Sequence, residues 1–385
     1  MSKVNIFQTT SRIISGPGSL AGIGAELKQL GAGKVLIVTD QGLVAAGLAQ
    51  RLGDLLDEAE LSWSRYDKVE PDPRYETAAE VVEAAQGFGA EVLVGLGGGS
   101  AIDICKVSSV LLTNPGPIDK YFGVDMVPAP GLPTIAIPTT AGTGSEVTPI
   151  AILSDEKEKL KTGVVSRYLF PNVAFLDPEL TLGLPPNVTA ATGLDALIHA
   201  LEAYTSKNAT PRTDLLARRA MELLHGNIRT AFCDGTNLPA REAMLEGSML
   251  AGMAFANAGV TAVHAFAYPI GAQYHIPHGV ANSIMLGPVM EFNLLGNLNK
   301  FADMARILGQ PTKGMSYREA ALRVVDALHT LAEDLRVPCH LGSFGVTEQD
   351  LPLLAEGVMK VTRLLANNPR VLTQEDAEAI YRRAL

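Results

Sequence analysis

From Gly247 to Met290 the chain carries no Asp, Glu, Lys or Arg. A stretch this long without charge folds either across a membrane or into a protein core. Asn257, His264, Pro269, Gln273, His275 and His278 lie within it, and such groups are costly in lipid. Buried helices fit better, and no membrane partner is expected. An unpaired imidazole in a core also costs free energy, so His264 and His278 need partners. A divalent metal would be one, and the preceding sequence supplies further ligands. Asp195 and His199, within TAATGLDALIHALEAY, sit at i and i+4 in a run of helical periodicity. That spacing puts a carboxylate and an imidazole on one helix face. Three nitrogens and one oxygen suit zinc, iron(II) or similar ions. A buried metal with a position open to substrate makes an enzyme.

At 385 residues, with 47% hydrophobic and 19% charged, the chain has room for two domains with their own cores. Its net charge of −10 argues against nucleic acid as a partner, since phosphate binding needs basic patches. Cys105, Cys233 and Cys339 form no CxxC pair, which implies neither a disulfide framework nor a sulfur-rich metal site. The opening MSKVNIFQTTSRII lacks the apolar core of a signal peptide. Cytoplasm is the expected location.

The first half alternates short apolar runs with amphipathic ones. KVLIVTD, SWSRYDKV, EVLVGLGGGS and LPTIAIPTT read as strands. GLVAAGLAQRLGDLLDEA, PRYETAAEVVEAAQGFG and AIDICKVSSVLL read as helices between them. Such alternation predicts a parallel, doubly wound sheet that binds ligands at the strand carboxyl ends. From about Leu184 helical periodicity takes over, through 212–224, 240–256, 298–308, 317–335 and 374–385. The expected organisation is an α/β dinucleotide-binding domain over 1–183 and an all-α metal-binding domain over 184–385.

Gly97, Gly98, Gly99 and Ser100 end one strand and open a helix. Glycines there let a ligand approach the backbone, and free N–H groups at a helix start favour a phosphate. The run is not the GxGxxG fingerprint, and glycines also serve ordinary turns. A second loop, Thr139-Thr140-Ala141-Gly142-Thr143-Gly144-Ser145, adds hydroxyl donors at the next strand end and strengthens the phosphate reading. Asp40 follows the first strong strand. There a carboxylate either accepts from adenosine ribose hydroxyls, repelling a 2′-phosphate and favouring NAD, or caps the following helix.

Taken together, GLGGGSAID with Lys106, PTTAGTGSEVT, GLDALIHALEAY and VHAFAYPIGAQYHIPHG resemble the iron-containing (group III) alcohol dehydrogenases over nearly the whole chain. The resemblance implies a dehydroquinate-synthase-like fold, with NAD(P) in the cleft between domains. It implies a divalent metal, Fe(II) or alternatively Zn(II), held by Asp195, His199, His264 and His278. It carries cofactor contacts onto Asp40, Gly98, Gly99, Ser100, Asp103, Thr139, Thr140, Thr143 and Lys161, and at Asp40 it favours NAD. The implied reaction is hydride transfer between NAD(H) and a small alcohol or aldehyde whose oxygen sits on the metal, in a homodimer.

Two positions depart from the family pattern. Many members carry a histidine where this chain has Tyr268, four residues after His264. A phenol there suits a neutral donor better than a base, or it simply packs. Ile150 replaces a polar residue found near the nicotinamide in some relatives. Phe255 takes a substrate-pocket position by family pattern, or belongs to the core. Arg363 is either a pocket residue that pairs with an anionic substrate tail or a solvated surface arginine. The alternatives are therefore a hydroxy-acid or anionic-aldehyde dehydrogenase of the same family, a glycerol-dehydrogenase or dehydroquinate-synthase relative, and a silent nucleotide-binding or metal-sensing protein. The four-ligand set favours the alcohol dehydrogenase.

Overall fold

A computed structural model describes residues 4–155 and 160–385. It divides into two compact units, Thr9–Leu184 and Pro185–Leu385 with Met1–Gln8. Residues 4–8 therefore go with the helical unit, not with the sheet. Local pairing explains this: Gln8 N donates to Asn257 Oδ1 at 2.8 Å, and Asn257 Nδ2 donates back to Gln8 O at 2.9 Å.

The Thr9–Leu184 unit contains strands β1 (Arg12–Ser15), β2 (Lys34–Val38), β3 (Ser62–Tyr66), β4 (Val92–Gly97), β5 (Gly123–Val124), β6 (Thr134–Pro138), β7 (Ile150–Asp155), β8 (Leu160–Val165) and β9 (Val173–Leu176). Its helices are α1 (Ile23–Gln29), α2 (Gln41–Ala45), α3 (Leu48–Glu58), α4 (Glu76–Phe88) and α5 (Gly99–Thr113). Among the described residues one sheet runs β1-β9-β6-β4-β2-β3 with every pair parallel. A second, small sheet, β5-β8-β7, contains the antiparallel pair β7–β8. The single helix expected over residues 42–59 is two, because Gly47 adopts a left-handed φ of 77° between α2 and α3.

Both faces of the large sheet are covered, which is why its inner strands read as continuous apolar runs. Val35, Ile37, Val92, Val94, Ile135 and Ile137 pack with Leu27 of α1 and Leu52 and Leu56 of α3. The alternate residues Leu36, Val38 and Leu93 pack with Val81 of α4 and Ile104 and Val107 of α5. Each such side chain contributes about 1.5–3 kcal/mol by leaving water. Gly95 lets α5 lie close: a Cβ there would sit 3.2 Å from Ile102 Cα. The chain turns from β2 to β3 on one side and to β4 on the other. That reversal places the switch point of the sheet, the usual ligand position, at the carboxyl ends of β2 and β4.

The loop after β6 is fastened from below by a buried cation. Lys106, 1% exposed, donates from Nζ to Ser145 Oγ at 2.7 Å, Ser145 O at 3.0 Å and Ile150 O at 2.5 Å. Asp103 Oδ1 lies 3.3 Å from the same nitrogen. Glu146, 1% exposed, has an Oε1 without a hydrogen-bond partner. Burial pushes its carboxyl up to about 7, against its own backbone N–H and the Lys106 charge. An unfolded glutamate releases its proton near 4.5, so the native state holds more protons between those values. Stability from this group therefore falls as pH rises through that window. Glu146→Gln should gain on the parent by up to about 3 kcal/mol between pH 5 and pH 8. Thermal melts at both pH values check this, and a difference that does not change with pH contradicts it.

The second unit is helical: α6 (Pro186–Thr205), α7 (Pro211–Cys233), α8 (Leu238–Ala258), α9 (Ala262–Tyr274), α10 (His278–Asn293), α11 (Leu298–Ile307), α12 (Tyr317–Asp334), α13 (Leu351–Lys360), α14 (Thr362–Leu365) and α15 (Gln374–Ala384). Residues 193–205 of α6 are buried on every face, as an apolar helix in the middle of a core must be. The uncharged stretch becomes the end of α8, all of α9 and most of α10, and it is largely buried. No single helix among the described residues is long and apolar enough to cross a membrane. α8 and α9 together pass on composition but bend by 101°.

Candidate active site

Helix geometry assembles the centre as the spacing predicts. Asp195 and His199 project from one face of α6 toward His264 on the first turn of α9. Among the described residues their ligand atoms all lie within 4.8 Å of one another, and the three residues are 4%, 6% and 2% exposed. The rings stack: Phe255 of α8 lies 4.4 Å from His199, centroid to centroid, and His199 lies 4.7 Å from His264. His278 stands outside that tight group, its ring centroid 5.4 Å from His264. It opens α10, and Gly279 beside it lets that turn touch α6. A Cβ there would come within 2.6 Å of Ala191 O.

Two residues that sequence reasoning passed over complete the centre. Asn282, one turn after His278, donates from Nδ2 to Asp195 Oδ1 at 2.7 Å and lies 3.2 Å from His278 Nε2. Glu202, fully buried, extends the α6 face as i+7 from Asp195. Its Oε2 lies 2.5 Å from His264 Nδ1. The signal was present in both cases: a second carboxylate on a buried helix face, and an amide at i+4 from a candidate ligand.

The charges support one another. Burial pushes the Asp195 carboxyl up, but His199, His278, His264 and the Asn282 amide pull it below the ordinary carboxylate range. Glu202 is likewise held low against burial by His264, Thr261 and the Val263 N–H. Burial drives the His264 imidazolium down, yet Glu202 outweighs it and the value rises, with the Arg363 charge opposing.

A metal fits these residues. His264 Nε2 is buried without a hydrogen-bond partner, 3.7 Å from Asp195 Oδ1 and beyond hydrogen-bond reach. A buried nitrogen left unbonded beside a carboxylate and a second imidazole has the donor set of a borderline divalent ion.

In the sheet unit, the expected cofactor residues gather at the switch point. A Cβ on Gly97 (φ 152°) would lie 3.6 Å from Asp40 Oδ2, and one on Gly98 would lie 3.4 Å from Thr140 Oγ1. At Gly99 it would meet Thr143 Cγ2 at 2.6 Å. The two loops after β4 and β6 therefore face each other, with a backbone cradle between them. The start of α5 has no side-chain cap, which leaves the N–H groups around Ser100 for an anion. Thr139 is buried at the end of β6, its N–H donating to Gly97 O at 3.0 Å.

Several expected contact residues also have partners within the chain. Asp40 does cap α2, accepting from Leu43 N at 3.0 Å. Asp103 accepts from Ser145 Oγ and, at 2.9 Å, from Ile152 N, so it braces the loop. Lys161 pairs with Asp72 at 2.5 Å. In the helical unit Tyr268 is half-buried, its ring 6.1 Å from that of His278. His275 is exposed at a left-handed φ of 53° and ends α9. Ile150 is half-buried at the start of β7.

A helix-borne carboxylate–imidazole set in one unit and an anion cradle at a sheet switch point in the other are the working parts of a metal-dependent, nucleotide-linked oxidoreductase. Comparison with known proteins agrees. The family model for iron-containing alcohol dehydrogenase matches residues 10–178, and that for the C-terminal part of the Fe-containing alcohol dehydrogenase family matches 189–385. Sulfoacetaldehyde reductase from Bilophila wadsworthia is 42% identical over 97% of this chain and 97% of its own. A crystal structure of 1,3-propanediol oxidoreductase superposes at a TM-score of 0.97 with 38% identity, covering 100% of both chains. Sulfoacetaldehyde reductase from Bifidobacterium kashiwanohense, solved with NAD+, gives 0.91 at 30% identity over 100% of this chain and 99% of that one. The chain belongs to the iron-containing alcohol dehydrogenase family and has its dehydroquinate-synthase-like fold.

Proposed function

We propose that the protein interconverts a small alcohol and its aldehyde with NAD(H), using a divalent ion held by Asp195, His199, His264 and His278. The observation that carries this reading is the unpartnered, buried His264 Nε2 facing Asp195. When bound, the ion would polarise a carbonyl and NADH would supply the hydride. The rest falls to the chain itself. Asn282 orients Asp195, and Phe255 covers His199 and keeps water from that side. Tyr268, its ring 6.1 Å from that of His278, serves as a hydrogen-bond donor. Gly98, Gly99, Ser100, Thr139, Thr140 and Thr143 form the anion cradle, and Asp40 beside Gly97 disfavours a 2′-phosphate, so NAD is the cofactor. The division of labour follows the units, with NAD on Thr9–Leu184 and metal on Pro185–Leu385. Family membership favours Fe(II), and the nitrogen–oxygen donor set also accepts Zn(II). The reading includes a homodimer, on the family's pattern, and a cytoplasmic location, on the sparse, unpaired cysteines. NADH consumption with a panel of short aldehydes tests the reaction, and silence across the panel overturns it.

A specific observation also favours a negatively charged aldehyde. Arg363 of α14 is exposed and forms no ion pair among the described residues, yet its charge is felt at His264. The 42% identity to a sulfoacetaldehyde reductase points the same way. A charge-assisted hydrogen bond to a sulfonate or carboxylate is worth about 1.5–3 kcal/mol. Arg363→Ala should therefore raise KM for sulfoacetaldehyde roughly ten- to a hundredfold and leave propanal unchanged. Equal losses on both substrates remove the anionic reading.

A further inference from the structure

We infer that Glu202 is a positioning residue that fixes the tautomer of His264 and so turns a lone pair, not a proton, toward Asp195. The bonds around this carboxylate permit little else. Its Oε1 accepts from Val263 N at 2.7 Å and from Thr261 Oγ1 at 2.6 Å. A backbone N–H can only donate, so whatever occupies the Oε1 position must be an acceptor. Thr261 precedes α9 and offers that helix no side-chain cap. Glu202 supplies the cap from α6, at the helix end that favours an anion. With Oε1 pinned, Oε2 faces His264 Nδ1 at 2.5 Å. An ionised carboxylate only accepts, so Nδ1 carries the hydrogen. In the neutral ring Nε2 is then the bare nitrogen, and it is the atom left buried without a partner. A carboxylate behind a ligating imidazole fixes the ring and raises its basicity.

The geometry makes Glu202→Gln a near-isosteric test. Val263 N–H forces the amide oxygen into the Oε1 position, which places the NH2 against His264 Nδ1. The ring must then accept at Nδ1 and carry its hydrogen on Nε2, where it blocks ligation. The inference rests on the metal reading only for its consequence, not for the tautomer itself. Metal-free protein labelled with 15N-histidine, at a pH where the rings are neutral, reports the tautomer by long-range 15N–1H correlation. His264→Asn assigns the resonances.

In the parent, Nε2 of His264 should be pyridine-like and Nδ1 pyrrole-like, and in Glu202→Gln the two should exchange. Chelator competition should show zinc affinity reduced roughly ten- to a hundredfold, with the melting temperature of the metal-free protein little changed. A purely structural role would lower that melting temperature and leave the tautomer and the zinc affinity alone, which overturns the inference. So does a pyrrole-like Nε2 in the parent, a result that does not depend on Glu202→Gln folding. If the parent shows the expected tautomer but takes up no zinc or iron, the metal reading fails and the tautomer assignment stands.

Discussion

Replacing His264 by alanine should strip the protein of its metal and its turnover together. The four expected ligands share a binding free energy of order 10–16 kcal/mol, taking structural zinc sites as the scale. Each therefore carries about 2.5–4 kcal/mol, and losing one weakens metal affinity by roughly a hundred- to a thousandfold. His264 should stand at the upper end, because its removal also leaves Glu202 buried without the imidazole that it faces at 2.5 Å, and an uncompensated buried charge is costly. Metal per chain by atomic emission and NADH turnover check the two effects in one preparation. A His264→Ala protein that is metal-free yet active would remove the metal from the mechanism.

Gly99→Ala should damage the other unit. The added Cβ would come 2.6 Å from Thr143 Cγ2, 2.9 Å from Oγ1 and 3.1 Å from Cβ. Thr143 is branched at Cβ and has few rotamers in which to retreat, so the two loops must part. Overpacking of this kind costs about 1–3 kcal/mol. Because the loops form the cradle, the loss should appear as a KM for NADH raised roughly tenfold or more, with metal content unchanged. Gly87, with open space around its position in α4, gives the control substitution. An unchanged KM in Gly99→Ala would show that the cofactor does not use this cradle.

How much of this was legible in the sequence follows from burial. Strands β2, β4 and β6 are covered on both faces, so their apolar runs stand out. The four-residue RIIS and VAFL of β1 and β9 are too short for any periodicity to show. The β7–β8 pair hid for another reason. Its strands carry Ser154, Asp155 and Lys161, polar residues that resemble a loop. In the site, Asp195 and His199 were readable because i, i+4 is a local relation, and His264 because no charge surrounds it. Glu202 and Asn282 depend on which helix faces which, and spacing alone does not say that Glu202 meets Thr261 across 59 positions. For Asp103 and Lys161 the fold adds contacts that spacing does not show. The family pattern marks both as cofactor contacts, and in the fold each already has a partner within the chain.

We take the Asp195–His199–His264 centre of α6 and α9 to be a catalytic metal site. It is tested most directly by removing all metal with a chelator under anaerobic conditions and following NADH consumption with a short aldehyde. Turnover should vanish in the metal-free protein and return on adding Fe(II) or Zn(II) at one equivalent per chain. Undiminished turnover in protein shown by atomic emission to be metal-free would contradict it.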